Sequence, residues 1–152
     1  MGEILDTVVA FLEEDDWSFR QLGEETILAM GFQGDSGQWT CYAEAREEQA
    51  QFFFYSVSPV KAPEERRQAL AEYLTRANFG LNIGNFEMDF GDGEIRYKTS
   101  IDVEGDRLSP ALVRPLVYAN VFTMDRYMPG FMRVIYGDAS PSEAIGQVET
   151  EV

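Results

Sequence analysis

Apolar and polar positions along the chain repeat with two different periods, and each period marks a different kind of element. Between Glu3 and Glu14, the residues Ile4, Leu5, Val8, Phe11 and Leu12 recur at helical spacing with acidic residues on the other side, which predicts a short amphipathic helix. Three stretches then alternate with a period of two: 26–33 through Leu28, Met30 and Phe32, 38–45 through Trp39, Cys41 and Ala43, and 51–58. The polar run Gly34-Asp35-Ser36-Gly37 predicts a turn that sets Phe32 opposite Trp39 and Met30 opposite Cys41. In the third stretch, Phe52-Phe53-Phe54-Tyr55 places aromatic side chains on both faces of a sheet, so that one face meets helices and the other needs cover or a partner.

Pro63 opens a second helix with a narrow stripe of Leu70, Tyr73, Leu74 and Ala77, and Asn78-Phe79-Gly80 ends it. Residues 86–90 and 95–99 then alternate around Asp92-Gly93, the dipeptide a two-residue type I′ turn prefers. Such a turn sets Phe90 opposite Ile95 and Met88 opposite Tyr97 on one face, with Asp89 opposite Arg96 and Glu87 opposite Lys98 on the other. Ser109 as N-cap and Pro110 at the first helical position start the last long helix. Its core-facing stripe is Val113, Val117, Val121, Met124, Met128, Phe131 and Ile135. Tyr118, Phe122, Met132 and Tyr136 fall on an adjoining flank. They widen the apolar surface beyond what one sheet face buries, which makes them the candidate partner-binding or dimer surface. Pro115 and Pro129-Gly130 predict kinks or a break in this helix. Ser140-Pro141-Ser142-Glu143 reads as a capping box for a short terminal helix, with 150–152 fraying.

Composition narrows the classes. The chain has 152 residues, 45% of them hydrophobic, enough for the core of a single domain spanning 1–152. With 27 acidic against 12 basic residues, the net charge of −15 repels phosphate backbones and anionic lipids, so neither nucleic acid nor a membrane is expected as partner. No apolar run approaches the roughly 18 residues of a membrane span. Met1-Gly2-Glu3 lacks the basic start of a signal peptide, and Asp6 stands where a myristoylation pattern needs Ser or Thr. The one cysteine, Cys41, forms no intrachain disulfide and suits a reducing compartment, so a cytoplasmic location is expected.

The chain contains no histidine, which excludes Ser-His and Cys-His nucleophilic pairs and histidine-ligated zinc. Cys41 shares a strand face with Trp39 and Ala43 and reads as packing. Residues 89–94 resemble a calcium loop but lack its third ligand before the glycine and its later Glu, and a turn explains them; the Asp102, Glu104 and Asp106 loop is no better a cation site. No phosphate loop or dinucleotide fingerprint is present, and Gly80 to Gly84 follows a helix and precedes a strand, the reverse of a phosphate cradle. Arg66-Arg67 reads as a solvated helix face beside Glu64 and Glu65. No catalytic residue, cofactor or metal is expected, and the chain reads as non-enzymatic.

The order helix, three strands, helix, two strands, helix is α+β, an antiparallel sheet packed against helices, and it looks like the type III secretion chaperone-like fold. More specifically, the sequence resembles the YbjN family, to which a role in bacterial sensory transduction is ascribed. The likeness runs through Ala77-Asn78-Phe79-Gly80, Gly84-Asn85-Phe86-Glu87-Met88-Asp89, Gly93-Glu94-Ile95-Arg96-Tyr97-Lys98 and Leu108-Ser109-Pro110, and covers about residues 4–136. It implies a compact subunit, often dimeric in this fold, that offers a surface to another polypeptide and brings no catalytic residues. The expected function is a chaperone-like or regulatory adaptor, a homodimer holding a protein or peptide partner on Tyr118, Phe122, Met132 and Tyr136. The alternative is a small-molecule sensor with an apolar pocket beneath the last helix.

Overall fold

Strand alternation and helical stripes resolve into a six-stranded antiparallel sheet with its helices packed on one face. The structure is a computed structural model that describes residues 2–24 and 26–150. In chain order the elements are α1 (Glu3–Glu14), β1 (Phe19–Gln21), β2 (Ile27–Gln33), β3 (Gln38–Arg46), β4 (Gln51–Val57), a 3-10 turn (Glu64–Arg66), α2 (Arg67–Asn78), β5 (Asn85–Met88), β6 (Ile95–Asp102), α3 (Pro110–Ile135) and α4 (Pro141–Thr150). The strands lie in the order β1-β2-β3-β4-β6-β5. The fold is α+β; the expected stripes of α1 and α2 are the residues those helices bury, and the expected stripe of α3 is buried together with Leu116, Asn120, Tyr127, Gly130 and Val134, which the sequence reading did not place there. Among the described residues, no helix is long and apolar enough to cross a membrane.

Polar groups from distant loops fasten the helices to this sheet. Glu47, in the turn after β3, accepts hydrogen bonds from the backbone N–H groups of Ile4 and Leu5 at 3.1 and 2.9 Å. A carboxylate thus sits at the positive end of the α1 dipole, where no local cap exists. The β2–β3 hairpin has the expected register, with Phe32 opposite Trp39 and Met30 opposite Cys41. Its turn is held by α3: the Asp125 carboxylate accepts from the N–H groups of Asp35 and Ser36 at 3.0 and 2.7 Å.

Three sequence expectations need correction. A strand was not expected at β1, whose Phe19-Arg20-Gln21 is too short to show alternation. The β5–β6 register is shifted by two residues, with Met88 opposite Ile95, Glu87 opposite Arg96 and Phe86 opposite Tyr97. The turn is longer than the type I′ dipeptide predicts, because Asp89 N–H bonds the Glu94 carbonyl at 2.9 Å and Gly93 N–H bonds the Asp89 carbonyl at 2.7 Å. The Asp89 and Asp92 carboxylates stabilise it locally by accepting from the N–H groups of Gly91 and Glu94. Gly93 adopts φ +80°, and a Cβ there would lie 2.1 Å from the Ala62 carbonyl oxygen. Phe90, expected to face Ile95, is instead exposed at the tip. A shift of two leaves every side chain on its expected face.

The third correction concerns the break in α3, which runs as one helix for 26 residues through Pro115 and Pro129. Pro129 has no N–H for the carbonyl of Asp125, and the Ser36 hydroxyl donates to that oxygen instead at 2.6 Å. Pro115 sits near the start of the helix, and the carbonyl it leaves belongs to Ala111, an exposed residue. Gly130 serves close packing: a Cβ there would lie 1.9 Å from the Tyr73 Oη, and the Tyr73 hydroxyl donates to the Tyr127 carbonyl at 2.8 Å. The capping box of α4 forms in both directions between Ser140 and Glu143, at 3.1 Å each. Beyond Thr150, the fraying expected for 150–152 falls outside the described residues.

Candidate functional site

The flank of α3 is the candidate surface, and its two ends are built differently. At the N-terminal end Tyr118 is half-buried and its ring lies 5.5 Å from that of Phe122, which is 59% exposed. Behind them Trp17 lies 6.3 Å from Tyr118 and 5.7 Å from Phe32. Asp15, at the C-terminus of α1, ties the group together. Its carboxylate accepts from the Tyr118 hydroxyl, from Trp17 Nε1 at 3.0 Å and from Arg114 at 3.2 Å. The Tyr118 hydroxyl above all, then Trp17 and Arg114, hold Asp15 below the usual carboxylate range against the opposing effect of burial. Burial and Asp15 push Tyr118 up, so it remains a donor.

At the other end, Met132 is half-buried and Tyr136, the C-cap residue, is 69% exposed. Met132 lies about 15 Å further along the axis than Phe122, at the rise of an α-helix. The structure therefore brings Tyr118 and Phe122 together and sets Met132 and Tyr136 apart from them. Sequence reasoning missed Asp15 and Trp17. The signal was the acidic run Glu13-Glu14-Asp15-Asp16 at the negative end of a helix dipole, an unfavourable placement that a hydrogen-bonding role explains for Asp15.

The underside of α3 holds packed core. Val113, Val117, Val121 and Met124 are fully buried in one cluster with Phe52, Phe54 and Tyr97. Asn120, also fully buried, donates from Nδ2 to the carbonyls of Phe54 and Tyr97 at 2.8 and 3.1 Å and to Thr99 Oγ1 at 3.2 Å. Its carboxamide ties α3 to β4 and β6, and its Oδ1 has no partner among the described residues. Cys41 lies 3.5 Å from Ser56 Oγ, and burial pushes its thiol up to about 11, so it stays protonated and unreactive. An open concavity of about 570 Å³ with mixed polar and apolar lining lies elsewhere, on the far face of the sheet, bounded in part by Gly31, Thr40, Tyr42 and Val57.

That far face covers itself. Phe53 and Tyr55 stand with rings parallel at 6.2 Å, the Arg46 guanidinium lies 4.0 Å over Phe53, and the Arg96 guanidinium lies 4.4 Å over Tyr55. Arg66 and Arg67, expected on a solvated face, instead donate to backbone carbonyls: Arg66 to Val134 at 2.8 Å, and Arg67 to Ala62 at 3.0 Å and Phe90 at 3.1 Å. Among the described residues, no group of three or more Cys, Asp or Glu could hold a metal ion.

A family model described as "YbjN: Putative bacterial sensory transduction regulator" matches residues 5–132. The chain belongs to the YbjN family. Among solved structures, it is similar to the one described as "Crystal structure of YbjN, a putative transcription regulator from E. coli", with TM-score 0.60 and 13% identity over 88% of this chain and 89% of that one. At that identity the likeness is one of fold. No curated protein matches. The YbjN match ends within α3, so the last turn of α3 and all of α4 lie beyond it.

Proposed function

We propose that this YbjN-family chain is a regulatory adaptor without catalytic chemistry, chaperone-like in holding a polypeptide partner and itself a homodimer. Its partner surface is the outer flank of α3: Tyr118 and Phe122 at one end, Met132 and Tyr136 at the other. The observation that carries this reading is Phe122. It is a large ring left mostly in water, yet it rests on Tyr118, whose position Asp15, Trp17 and Arg114 fix. An anchor that is already ordered loses little conformational entropy on binding, which is how aromatic hot spots gain affinity.

Helix-flank binding also fits better than strand addition at the β5 edge. The outward-facing backbone of Phe86 is already taken, since its N–H donates to Asn78 Oδ1 at 2.7 Å and its carbonyl accepts from Asn78 Nδ2 at 3.1 Å. The test is capture of partners from native cytosol by the tagged protein, quantified by mass spectrometry, with Phe122→Asp as control. Phe122 is exposed, so the variant keeps its circular dichroism spectrum and melting temperature and loses one discrete protein. Retention of the same proteins by the folded variant refutes this surface. Sedimentation velocity on both proteins tests the dimer, and a monomeric wild type removes it from the proposal.

A further inference from the structure

α4 packs against both α2 and α3, yet of its ten residues only Ala144 and Val148 are buried. Both are small and stand one turn apart. Ile145 adds a partly buried edge, and the next residue after Val148, Glu149, accepts a hydrogen bond from the Tyr127 hydroxyl at 2.8 Å. α2 and α3, by contrast, meet through large fixed rings. Tyr73 lies edge to face with Tyr127 at 6.5 Å and with Phe131 at 5.9 Å, and its hydroxyl is anchored on the Tyr127 carbonyl. Burial and Glu149 push the Tyr127 hydroxyl up to about 12, so at neutral pH it offers a donor to whatever carboxylate lies there. The groove thus has the ordered aromatic character of an acceptor, and the helix in it contributes small side chains and one carboxylate.

Beyond the capping box of Ser140 and Glu143 at its start, α4 is poorly secured by its own sequence. Gly146 lies at its middle, where glycine is less favourable than alanine, and a Cβ there would meet nothing, so packing does not demand it. The connection from α3 passes through Asp138 at φ +58°, an uncommon conformation for a residue other than glycine. Segments with few buried apolar contacts open first.

We propose that the α2–α3 groove is a helix-binding site which α4 fills in cis, and that a partner takes it by displacing α4. The partner is a polypeptide presenting an amphipathic helix with small apolar residues at i and i+4 and a carboxylate at i+5, the pattern of Ala144, Val148 and Glu149. This site does not depend on the outer flank of α3.

The test uses the full chain, hydrogen exchange and a fluorescein-labelled peptide of residues 139–150. In the wild type, α4 amides exchange ahead of those of α3 and the sheet. In Val148→Asp, α4 loses its protection while the sheet keeps it, and the peptide binds about tenfold or more tightly than to the wild type, because the competing cis helix is gone. The same peptide carrying Val148→Asp does not bind. If Val148→Asp fails to fold, Glu149→Gln weakens only the tie to Tyr127 and gives a smaller rise in affinity. Exchange of α4 only together with the core overturns the proposal, as does an opened variant that binds the peptide no better. A dimer formed by swapping α4 assigns the groove to a second copy and overturns the partner assignment.

Discussion

The two faces of the sheet carry comparable aromatic side chains and are closed by different physics. On the helix side, Phe52, Phe54 and Tyr97 are fully buried beneath α3, and Asn120 satisfies the backbone it covers. On the other side, Phe53 and Tyr55 are covered by the guanidinium groups of Arg46 and Arg96, which Glu44 and Glu87 hold in place at 3.0 and 2.8 Å. A helix removes rings from water by dispersion contact and area, a term of several kcal/mol for a large side chain. A guanidinium over a ring contributes about 0.5–1 kcal/mol at an exposed site and swings away at the cost of a rotamer change. One face is a committed core, and the other is a cover that can be lifted.

Adjacent residues of β4 put that contrast to its strongest test. Phe54→Ala empties a fully buried site and is expected to cost about 3–5 kcal/mol. Phe53→Ala, one residue away on the open face, is expected to cost at most about 1 kcal/mol. Urea denaturation midpoints with an unchanged slope measure both. Equal losses would break the distinction between the faces. Next in size is Asn120→Ala, which strips the buried carboxamide from the Phe54 and Tyr97 carbonyls and is expected to cost about 1–3 kcal/mol, with amides of β4 and β6 exchanging faster. Arg96→Met is expected to cost about 0.5–1 kcal/mol by uncovering Tyr55. That gap should narrow in high salt, because Arg96 also pairs with Glu87; a gap indifferent to salt would show that the stem alone provides the cover.

What could be read in advance follows from the range over which each interaction acts. The stripes of α1, α2 and α3 are local periodicities; those of α1 and α2 match the buried residues of those helices, and that of α3 is buried but narrower than the face the helix buries, because α2, α4 and the sheet all pack on it. Phe32 opposite Trp39 and Met30 opposite Cys41 follow from a short turn with one plausible closure. The β5–β6 register was misread because a period-two pattern is unchanged by a shift of two, and the carboxylates of Asp89 and Asp92 outweigh the preference of Asp92-Gly93. The intact α3 was illegible for a different reason. Pro129 breaks a helix by local rules, and Ser36, far away in the chain, supplies the missing donor. The candidate flank was legible in composition but not in extent. A helical wheel superposes Tyr118 and Tyr136 and discards the distance between them, and Asp15 reaches Tyr118 only through tertiary folding.

The smallest effect sharpens the comparison most, because it isolates the electrostatic part of the open face. Glu87 accepts from Arg96 at 2.8 Å and Lys98 at 3.0 Å. Its partial burial raises its pKa, and the hydrogen bonds of Lys98 and Arg96 more than offset that, leaving it below the ordinary glutamate value. A carboxyl depressed on folding contributes stability that is fully present above its unfolded pKa and is lost as pH falls through the folded one. Glu87→Gln is therefore expected to cost about 0.2–1 kcal/mol at pH 7, the range of exposed pairs. The gap between wild type and variant should close on acidification, beginning near the ordinary glutamate pKa and ending below it. Phe54→Ala, which touches no charge, should lose the same amount across that window. If the Glu87→Gln gap stayed constant with pH, the open face would be held by side-chain packing alone, and its distinction from the helix-covered face would be one of degree.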